Sequence, residues 1–416
     1  MNNSITLHQR QYALPTQPVV VVCIDGCDPE YITQGIADGI CPTIARFHAQ
    51  GFASTADCVM PSFTNPNNVS IVTGAPPEVH GIAGNYYLDR ETGKEIMMTD
   101  ASLLRGETLL ALLSQAGIAV AAITAKDKLR KVLGHHLLGI CFSSEKAGTC
   151  TLEEHGIADV QALVGRQLPD MYSGDLSLFV LDAGLALLKQ KRALVLYLSL
   201  SDYIQHKFAP GTRESNEFLK AIDDRLRGFI DEGAIVGCIA DHGMSDKNNT
   251  NGTPNIVFLQ DRLEERFGTA SARVICPITD PFVRHHGALG SFVRVYAKDP
   301  ADIEPMIDYI SGLSGIEETL SRRQAAVKLG LPEDREADIV VISSESCVLG
   351  SSAGEHDLST VGDRPLRSHG GYSEQSVPFL LSHPLTEQYL QRAASTRLRN
   401  FDIFDFALNG VQNTEK

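Results

Sequence analysis

The feature that most constrains this chain is an apolar run that stops abruptly at an Asp-His-Gly triplet. Residues 235–240 read IVGCIA, a partly β-branched run that predicts a buried strand of a parallel sheet. Asp241 and His242 follow at once, and Gly243 permits a tight turn. Because ligands bind beyond the carboxyl ends of strands in open α/β sheets, a carboxylate beside an imidazole at this point suits a metal ion. A plain strand-to-loop turn with a capping Asp is an equally good interpretation of the triplet alone.

Two further apolar runs also end in acidic residues. Residues 19–24, VVVVCI, predict a strand that ends at Asp25, and residues 194–200, LVLYLSL, predict another that is followed by Asp202 and His206. An Asp and a His four residues apart share one face if the segment forms a helical turn, and both can then bind one metal ion. Each pattern alone is weak, since an Asp often only starts a turn. Taken together, the acidic strand ends favour a functional site.

A basic pair follows another apolar run. Residues 118–124, IAVAAIT, predict a strand, and Lys126 and Lys128 come just after it. Residues i and i+2 of an extended segment point the same way, so the two ammonium groups could aim into one pocket. The alternative is that both are solvated, as most lysine pairs are, but the strand end favours a functional position.

The densest motif lies at residues 60–87, MPSFTNPNNVSIVTGAPPEVHGIAGNYY. Thr64 is predicted to lie on a short turn, Asn67 to act as an N-cap, and residues 68–73 to form the helix that follows. A helix N-terminus presents unpaired N–H groups and positive potential to an anion, and a hydroxyl there can attack phosphorus. The alternative is that Thr64 is a simple turn residue.

Composition limits the classes of partner. The chain has 416 residues, and its net charge of −15 argues against a general nucleic-acid or membrane partner. A small anionic substrate is still compatible, because metal ions can reverse the sign locally. Nine cysteines without a CxxC motif suggest no disulfide framework, and neither a signal region nor a membrane-spanning apolar run is present. We therefore expect a cytoplasmic protein, with a homodimer as one option for its assembly.

The segment around Thr64 resembles the alkaline phosphatase superfamily, in the branch of nucleotide pyrophosphatases/phosphodiesterases and phosphonoacetate hydrolases. The matching residues are Thr64, Pro66-Asn67, Thr73-Gly74, Pro77-Glu78, His80-Gly81-Ile82 and Asn85-Tyr86. The resemblance implies that Thr64 is the nucleophile and that Asn85 holds the phosphoryl group. It also implies that Lys126 and Lys128, in the segment TAKDKL, grip the carboxylate of the substrate.

The resemblance further implies two metal sites built from acidic and imidazole side chains. One set comprises Asp202, His206 and His369, and the other comprises Asp25, Asp241, His242 and Thr64. Mixed Asp/His ligation suits two Zn²⁺ ions, with Mn²⁺ or Fe²⁺ as alternatives. Sulfatases are disfavoured, because Thr64 is neither the Cys nor the Ser that those enzymes convert to formylglycine.

The predicted fold class is α/β: an alkaline-phosphatase-like core with a mostly parallel sheet flanked by helices, and a smaller α+β insertion, or cap. We expect residues 15–255 and 364–416 to form the catalytic core and residues 256–363 to form the cap, whose short elements break the strand-end pattern. His285 and His286 of the cap either line the pocket or are exposed.

The favoured function is that of the phosphonoacetate hydrolases: two-metal hydrolysis of the C–P bond of phosphonoacetate, a small anionic phosphonate, to acetate and phosphate through a phosphothreonine at Thr64. The alternative is a phosphodiesterase or nucleotide pyrophosphatase of the same superfamily, which would need a flat aromatic site for a base. Aromatic residues make up only 6% of the chain and Trp is absent, which favours the small substrate. A phosphomutase is less favoured, since those enzymes use Ser at the position of Thr64, and a non-catalytic scaffold would need no nucleophile.

Overall fold

The computed structural model describes residues 3–89, 92–98, 101–278, 289–360 and 364–412. Its strands in chain order are β1 Ser4–Leu7, β2 Arg10–Ala13, β3 Val19–Cys23, β4 Phe52–Asp57, β5 Tyr86–Asp89, β6 Lys94–Met97, β7 Val120–Thr124, β8 Ile140–Ser143, β9 Val195–Ser199, β10 Ile235–Ile239, β11 Ser245–Asp246, β12 Ile256–Phe258, β13 Ala272–Ile275, β14 Phe292–Ala297, β15 Ile316–Ser321, β16 Ile339–Ser343, β17 Val348–Gly350, β18 Arg367–Ser368 and β19 Ser376–Leu381. Its α-helices are α1 Pro29–Ala37, α2 Pro42–Gln50, α3 Thr64–Thr73, α4 Pro77–His80, α5 Leu109–Gln115, α6 Asp127–Leu133, α7 Leu152–His155, α8 Val160–Val164, α9 Asp175–Lys189, α10 Arg213–Asp231, α11 Leu259–Phe267, α12 Ile303–Ser311, α13 Arg322–Leu329, α14 Glu387–Ser395 and α15 Ile403–Asp405.

The largest sheet of the described residues has seven strands in the order β4-β19-β10-β3-β9-β7-β8. From β10 to β8 all neighbours pair in parallel, whereas β19 runs antiparallel to both of its neighbours. The sheet is therefore mixed but mostly parallel. Its central strands are buried at every residue, for example VVVVC in β3 and IVGCI in β10. Such continuous apolar runs are typical of strands that are covered on both faces.

The register of the three central strands decides where the site can form. Cys23 at the end of β3 pairs with Ile239 of β10 and with Ser199 of β9. Because these strands are parallel and end level with one another, the residues that follow them emerge at the same edge of the sheet.

Helix α10 illustrates how the helices attach to this core. Thr212 caps its N-terminus through its side chain, and the helix buries Phe218, Ile222 and Phe229 at spacings of four and seven residues. This face packs against α2 and α9. Fully burying one such large apolar side chain contributes about 1.5–3 kcal/mol to the free energy of unfolding.

A second, smaller sheet has the order β13-β14-β16-β15 and is antiparallel throughout. Helices α12 and α13 pack against it, and it has its own apolar cluster around Val293, Val295, Ile339 and Val341. This α+β unit lies inside the segment that the sequence assigns to the cap. The boundaries of the cap at residues 256 and 363 stay a prediction.

The edge strands β4 and β8 of the large sheet were missed by the sequence analysis. β4 reads FASTAD and is mostly half-buried, so it lacks the apolar run of a central strand. β8 reads ICFS, and four residues are too few to show a periodic pattern. Edge strands therefore carry a weaker sequence signal here than central ones.

Across the described residues, no helix is both long and apolar enough to cross a membrane. The nine cysteines are all free, and each except the half-buried Cys150 is buried. The fold is therefore stabilised by its apolar core without disulfide bonds.

Candidate metal centre and active site

Three acidic strand ends meet at one edge of the seven-stranded sheet. Asp241 follows β10, Asp25 follows β3 and Asp202 follows β9, and these strands are direct neighbours. Gly26 permits the close approach: its φ is +67°, and a Cβ atom at this residue would lie only 3.0 Å from the Cβ atom of Asp202. The parallel register thus brings together side chains that are far apart in sequence.

The first predicted ligand set is clustered. The N–H of His206 donates to the Asp202 carbonyl oxygen at 3.0 Å, which is the helical turn that the four-residue spacing predicts. Asp202 Oδ2 lies 2.8 Å from His206 Nε2 and 3.9 Å from His369 Nε2. One possible ligand atom from each of these three residues lies within 4.8 Å of the others.

The second predicted set lies beside the first. His242 Nε2 is 3.3 Å from Asp25 Oδ1 and 3.8 Å from Asp241 Oδ2. Asp202 forms a second group with Asp25 and His242, whose ligand atoms also lie within 4.8 Å of one another. The Asp202 carboxylate therefore lies close to both ligand sets, whereas the sequence predicts it for the first set alone.

Each of the three histidines is oriented by a backbone carbonyl. The acceptors are Arg367 O, Gly243 O and Ser62 O, which lie 3.0, 2.9 and 2.8 Å from Nδ1 of His206, His242 and His369, respectively. A carbonyl can only accept, so Nδ1 of each neutral ring carries the proton and the Nε2 lone pair is left to bind a ligand. Such outer hydrogen bonds are typical of metal-binding histidines.

Crowding of charged groups perturbs several pKa values at this site. Burial, together with the carboxylates of Asp202 and Asp241, raises the pKa of Asp25 well above its ordinary value. Burial alone would lower the pKa of His242, but the neighbouring Asp241 and Asp25 raise it to about 10. Burial also lowers the pKa of His369, and the imidazoles of His242 and His206 lower it further. Nearby carboxylates in a dry site favour a bound cation.

The donor set fits divalent cations. Asp25 is 4% exposed, and its Oδ1 atom has no hydrogen-bond partner among the described residues, although His242 lies close to it. An orphaned buried carboxylate oxygen is costly unless a cation satisfies it. The mixture of carboxylate oxygens and imidazole nitrogens is the ligand chemistry that Zn²⁺ uses in proteins, and Mn²⁺ and Fe²⁺ bind similar sets.

Thr64 lies next to these ligands. Its Oγ1 atom is 3.2 Å from His242 Nε2. Thr64 is the first residue of α3, after the extended Phe63, so the helix begins four residues before the predicted helix at 68–73. The hydroxyl therefore stands at a ten-residue helix's positive end, where N–H groups are unpaired.

The predicted cap role of Asn67 is wrong. Pro66 lies within the first turn of α3, where a missing N–H costs nothing. Asn67 is thus inside the helix and fully buried. Its side chain accepts from the N–H of Val59 at 2.7 Å and donates to the Phe63 carbonyl at 3.0 Å, so it braces the segment that leads to Thr64.

Asn85 is buried and held through its backbone. Its N–H donates to Pro277 O at 2.8 Å, and its carbonyl accepts from the N–H of Met98 at 2.7 Å. The side-chain oxygen has no hydrogen-bond partner among the described residues. That oxygen can only accept hydrogen bonds, so a phosphoryl oxygen would have to be held by Nδ2 of the same amide.

Lys126 and Lys128 differ from the predicted extended pair. Lys126 is the N-cap residue of α6 and Lys128 lies inside that helix, because the strand ends at Thr124 and the chain coils at once. The two side chains therefore do not follow the alternation of an extended segment. Lys126 Nζ donates to Met171 O at 3.3 Å and lies 5.7 Å from the centre of the Tyr172 ring. Both lysines are half-buried, and their role in binding substrate stays a prediction.

Two residues that support the site, Asn68 and Tyr197, are absent from the predicted set. Asn68 Nδ2 donates to Asp241 Oδ2 at 3.1 Å and to Thr64 O at 2.9 Å, and Asn68 Oδ1 accepts from the hydroxyl of Tyr197 at 2.7 Å. Asn68 lies one helical turn after Thr64, and this spacing could have indicated the contact between them. The predicted helix at residues 68–73 does not include Thr64, so the spacing carried no such meaning.

His285 and His286 lie outside the described residues.

Comparisons with known proteins agree with this geometry. The family model for type I phosphodiesterase / nucleotide pyrophosphatase matches residues 19–372. The chain belongs to this family. A crystal structure of phosphonoacetate hydrolase from Sinorhizobium meliloti 1021 in complex with phosphonoformate is similar, with 45% identity, a TM-score of 0.93, and coverage of 98% of this chain and 99% of that chain. The same enzyme in complex with phosphonoacetate gives 44% identity and a TM-score of 0.92, again with 98% and 99% coverage.

Two further relatives are more limited matches. A phosphonoacetate hydrolase from Penicillium oxalicum is 77% identical over 30 residues, which cover 7% of this chain and 42% of that protein's length. Murine ectonucleotide pyrophosphatase/phosphodiesterase 5 has 15% identity and a TM-score of 0.61, covers 94% of each chain, and supports the fold alone. The predicted superfamily and α/β fold class are confirmed, and the chain is a hydrolase of phosphorus compounds.

Proposed function

We propose that this chain hydrolyses the C–P bond of phosphonoacetate to give acetate and phosphate. The observation that carries the proposal is the 45% identity to a phosphonoacetate hydrolase over 98% of the chain. The cluster around Thr64 supports it, because a hydroxyl at a helix N-terminus lies beside a mostly buried set of candidate cation ligands.

The proposed ligands are the two sets already described by their distances. One set comprises Asp202, His206 and His369, and the other comprises Asp25, Asp241, His242 and Thr64. When bound there, two divalent cations, for which we favour Zn²⁺, supply the positive charge that favours an ionised Thr64 hydroxyl and offsets charge on the phosphoryl group. The chain's own residues orient the substrate and carry the covalent step.

Thr64 Oγ1 attacks phosphorus in line with the P–C bond. A P–O bond to Thr64 forms, the P–C bond breaks, and its electron pair passes to the carbon, where the carboxylate delocalises it as an enediolate. The backbone N–H of Thr64 and the Asn85 amide hold phosphoryl oxygens. Water protonates the enediolate to acetate and leaves hydroxide. Hydroxide then attacks the phosphorus of the phosphothreonine, the P–O bond to Thr64 breaks, phosphate is released, and the Thr64 oxygen returns to its ionised state.

We propose that Lys126 and Lys128 bind the carboxylate of the substrate. Ammonium groups beside the carboxylate would stabilise the enediolate as its charge develops, which lowers the barrier of the bond-breaking step. The position of both lysines at the C-terminal end of β7, in the same sheet as the three acidic strand ends, supports this placement.

The test is phosphate release from phosphonoacetate and from an aryl phosphodiester, with and without a chelator. We expect equal amounts of acetate and phosphate from phosphonoacetate, loss of activity on chelation, and recovery when Zn²⁺ is added back. Release from the diester alone would replace this function by the second candidate. That candidate, a phosphodiesterase or nucleotide pyrophosphatase, is favoured by the family model that matches residues 19–372.

We further propose that the cap comprises residues 256–363 and that the core comprises residues 15–255 and 364–416. The small antiparallel sheet with α12 and α13 supports the division. A cytoplasmic location, a homodimeric assembly and the lack of a nucleic-acid partner stay predictions from the sequence.

A further inference from the structure

A buried arginine outside the predicted ligand sets connects the segments that carry them. Arg367 is 5% exposed and forms the strand β18 with Ser368. The chain continues from this strand directly into His369, so Arg367 lies two residues before a proposed ligand. A buried guanidinium is costly unless most of its five N–H groups find acceptors.

The guanidinium of Arg367 donates to three different segments at this edge. Nε–H donates to Gln205 O at 2.9 Å, in the turn that holds Asp202 and His206. Nη2–H donates to Met244 O at 3.2 Å, two residues after His242. The same nitrogen donates to the hydroxyl of Tyr31 at 3.3 Å, on the helix that follows Asp25.

Two further contacts complete the arrangement. Nη1 forms an ion pair with Asp246, which also pairs with Arg367 across the short β11–β18 ladder. The Arg367 carbonyl accepts from His206 Nδ1 at 3.0 Å and so fixes the orientation of that imidazole. Side chain and backbone of one residue thus hold the His206 turn from two directions.

We propose that Arg367 is a positioning residue for the metal centre. It holds the Asp202–His206 turn, the segment after His242 and the strand that leads to His369 in fixed positions relative to one another. This inference rests on the proposed function only in taking Asp202, His206 and His369 as one metal-binding set. The first set depends on Arg367 most directly, since both its turn and its own strand are attached to this residue. The second set has independent supports: Asp241 accepts from Asn68 Nδ2 and His242 donates to Gly243 O.

Lysine cannot replace this arrangement. Its ammonium keeps the positive charge, but it cannot reach separate acceptors with the fixed planar geometry of a guanidinium. Arg367→Lys should therefore preserve the charge and lose the simultaneous contacts to Gln205, Met244 and Tyr31. Loss of such outer contacts typically lowers metal affinity by about 10- to 100-fold.

The experiment measures Zn²⁺ affinity and stoichiometry of the full chain by competition with a chromophoric chelator. We expect wild type to bind two ions and Arg367→Lys to bind one normally and the other about 10- to 100-fold more weakly. Excess Zn²⁺ should restore phosphate release from phosphonoacetate by Arg367→Lys. The matched control is Arg225→Lys, which alters a helix–helix ion pair with Asp182 and should bind as wild type does.

A second variant guards against a folding defect in Arg367→Lys. Asp246 has a side chain that is 57% exposed, so Asp246→Asn should fold and still loosen the guanidinium, with a weaker loss of affinity for the same ion. Unchanged affinity for both ions in Arg367→Lys, or in Asp246→Asn where the first variant does not fold, would overturn the positioning role. An equal loss in Arg225→Lys would overturn it as well. If wild type itself binds no Zn²⁺, the two-metal function fails together with the inference.

Discussion

The proposed metal-ligand cluster and the lysine pair are built in opposite ways. Asp25, Asp241 and His242 are at most 4% exposed and are held at the ends of central strands. Lys126 is half-buried, and its ammonium contacts a backbone carbonyl and an aromatic ring of the loop at residues 171–172. The first region is determined by the sheet, and the second depends on a loop.

Under the proposed function, this difference gives the two regions separate tasks. Imidazoles fixed by carbonyls and carboxylates fixed by strand ends need little reorganisation when a cation and a phosphoryl group bind. A half-exposed ammonium on a loop contact can be repositioned at small cost, which suits recognition of the leaving group. We therefore expect changes in the cluster to affect all phosphoryl substrates, and changes near the lysines to affect phosphonoacetate selectively.

The largest effect is expected for Thr64→Ala. Removal of the attacking oxygen should lower kcat by about 1000-fold or more for phosphonoacetate and for an aryl phosphate alike, because both react at phosphorus. Phosphate release at saturating Zn²⁺ measures the loss, and metal analysis checks that the ions remain bound.

Thr64→Ser is the matched control for that variant. It keeps a hydroxyl at the start of α3, so it should retain far more activity than Thr64→Ala. If Thr64→Ala stayed active, the chemistry would have to occur elsewhere and the contrast between the regions would lose its basis.

A smaller and selective effect is expected for Lys126→Ala. Loss of one charge-assisted contact should lower kcat/KM for phosphonoacetate by about 10- to 100-fold and leave an aryl phosphate within about threefold. Lys131→Ala is the matched control, since Lys131 is exposed on the same helix. Equal losses for both substrates would contradict the proposed binding of the carboxylate by Lys126. The lysines and the ligand cluster would then no longer differ in the substrates that they affect.

The same contrast explains what the sequence could and could not predict. Asp25, Asp202 and Asp241 follow apolar runs, and a parallel sheet brings such strand ends together, so their cluster was predictable. The Arg367 side chain reaches the backbone carbonyls of Gln205 and Met244, which lie 162 and 123 residues away in sequence, and backbone acceptors leave no residue pattern. The prediction that Lys126 and Lys128 share one extended segment is wrong for a local reason, because α6 starts just after β7 ends.

The smallest effect is expected for Tyr172→Leu. Tyr172 is 59% exposed, and the centre of its ring lies 5.7 Å from Lys126 Nζ. A cation–π contact at an exposed site contributes about 0.5–1 kcal/mol. Without the ring, Lys126 should sample more orientations, so kcat/KM for phosphonoacetate should fall about two- to fivefold while the aryl phosphate activity stays unchanged. Tyr172→Phe keeps the ring face and should behave as wild type in the same assay. A fall in kcat for both substrates would mean that the loop shapes the metal cluster too, and the separation of rigid chemistry from adjustable recognition would then be wrong.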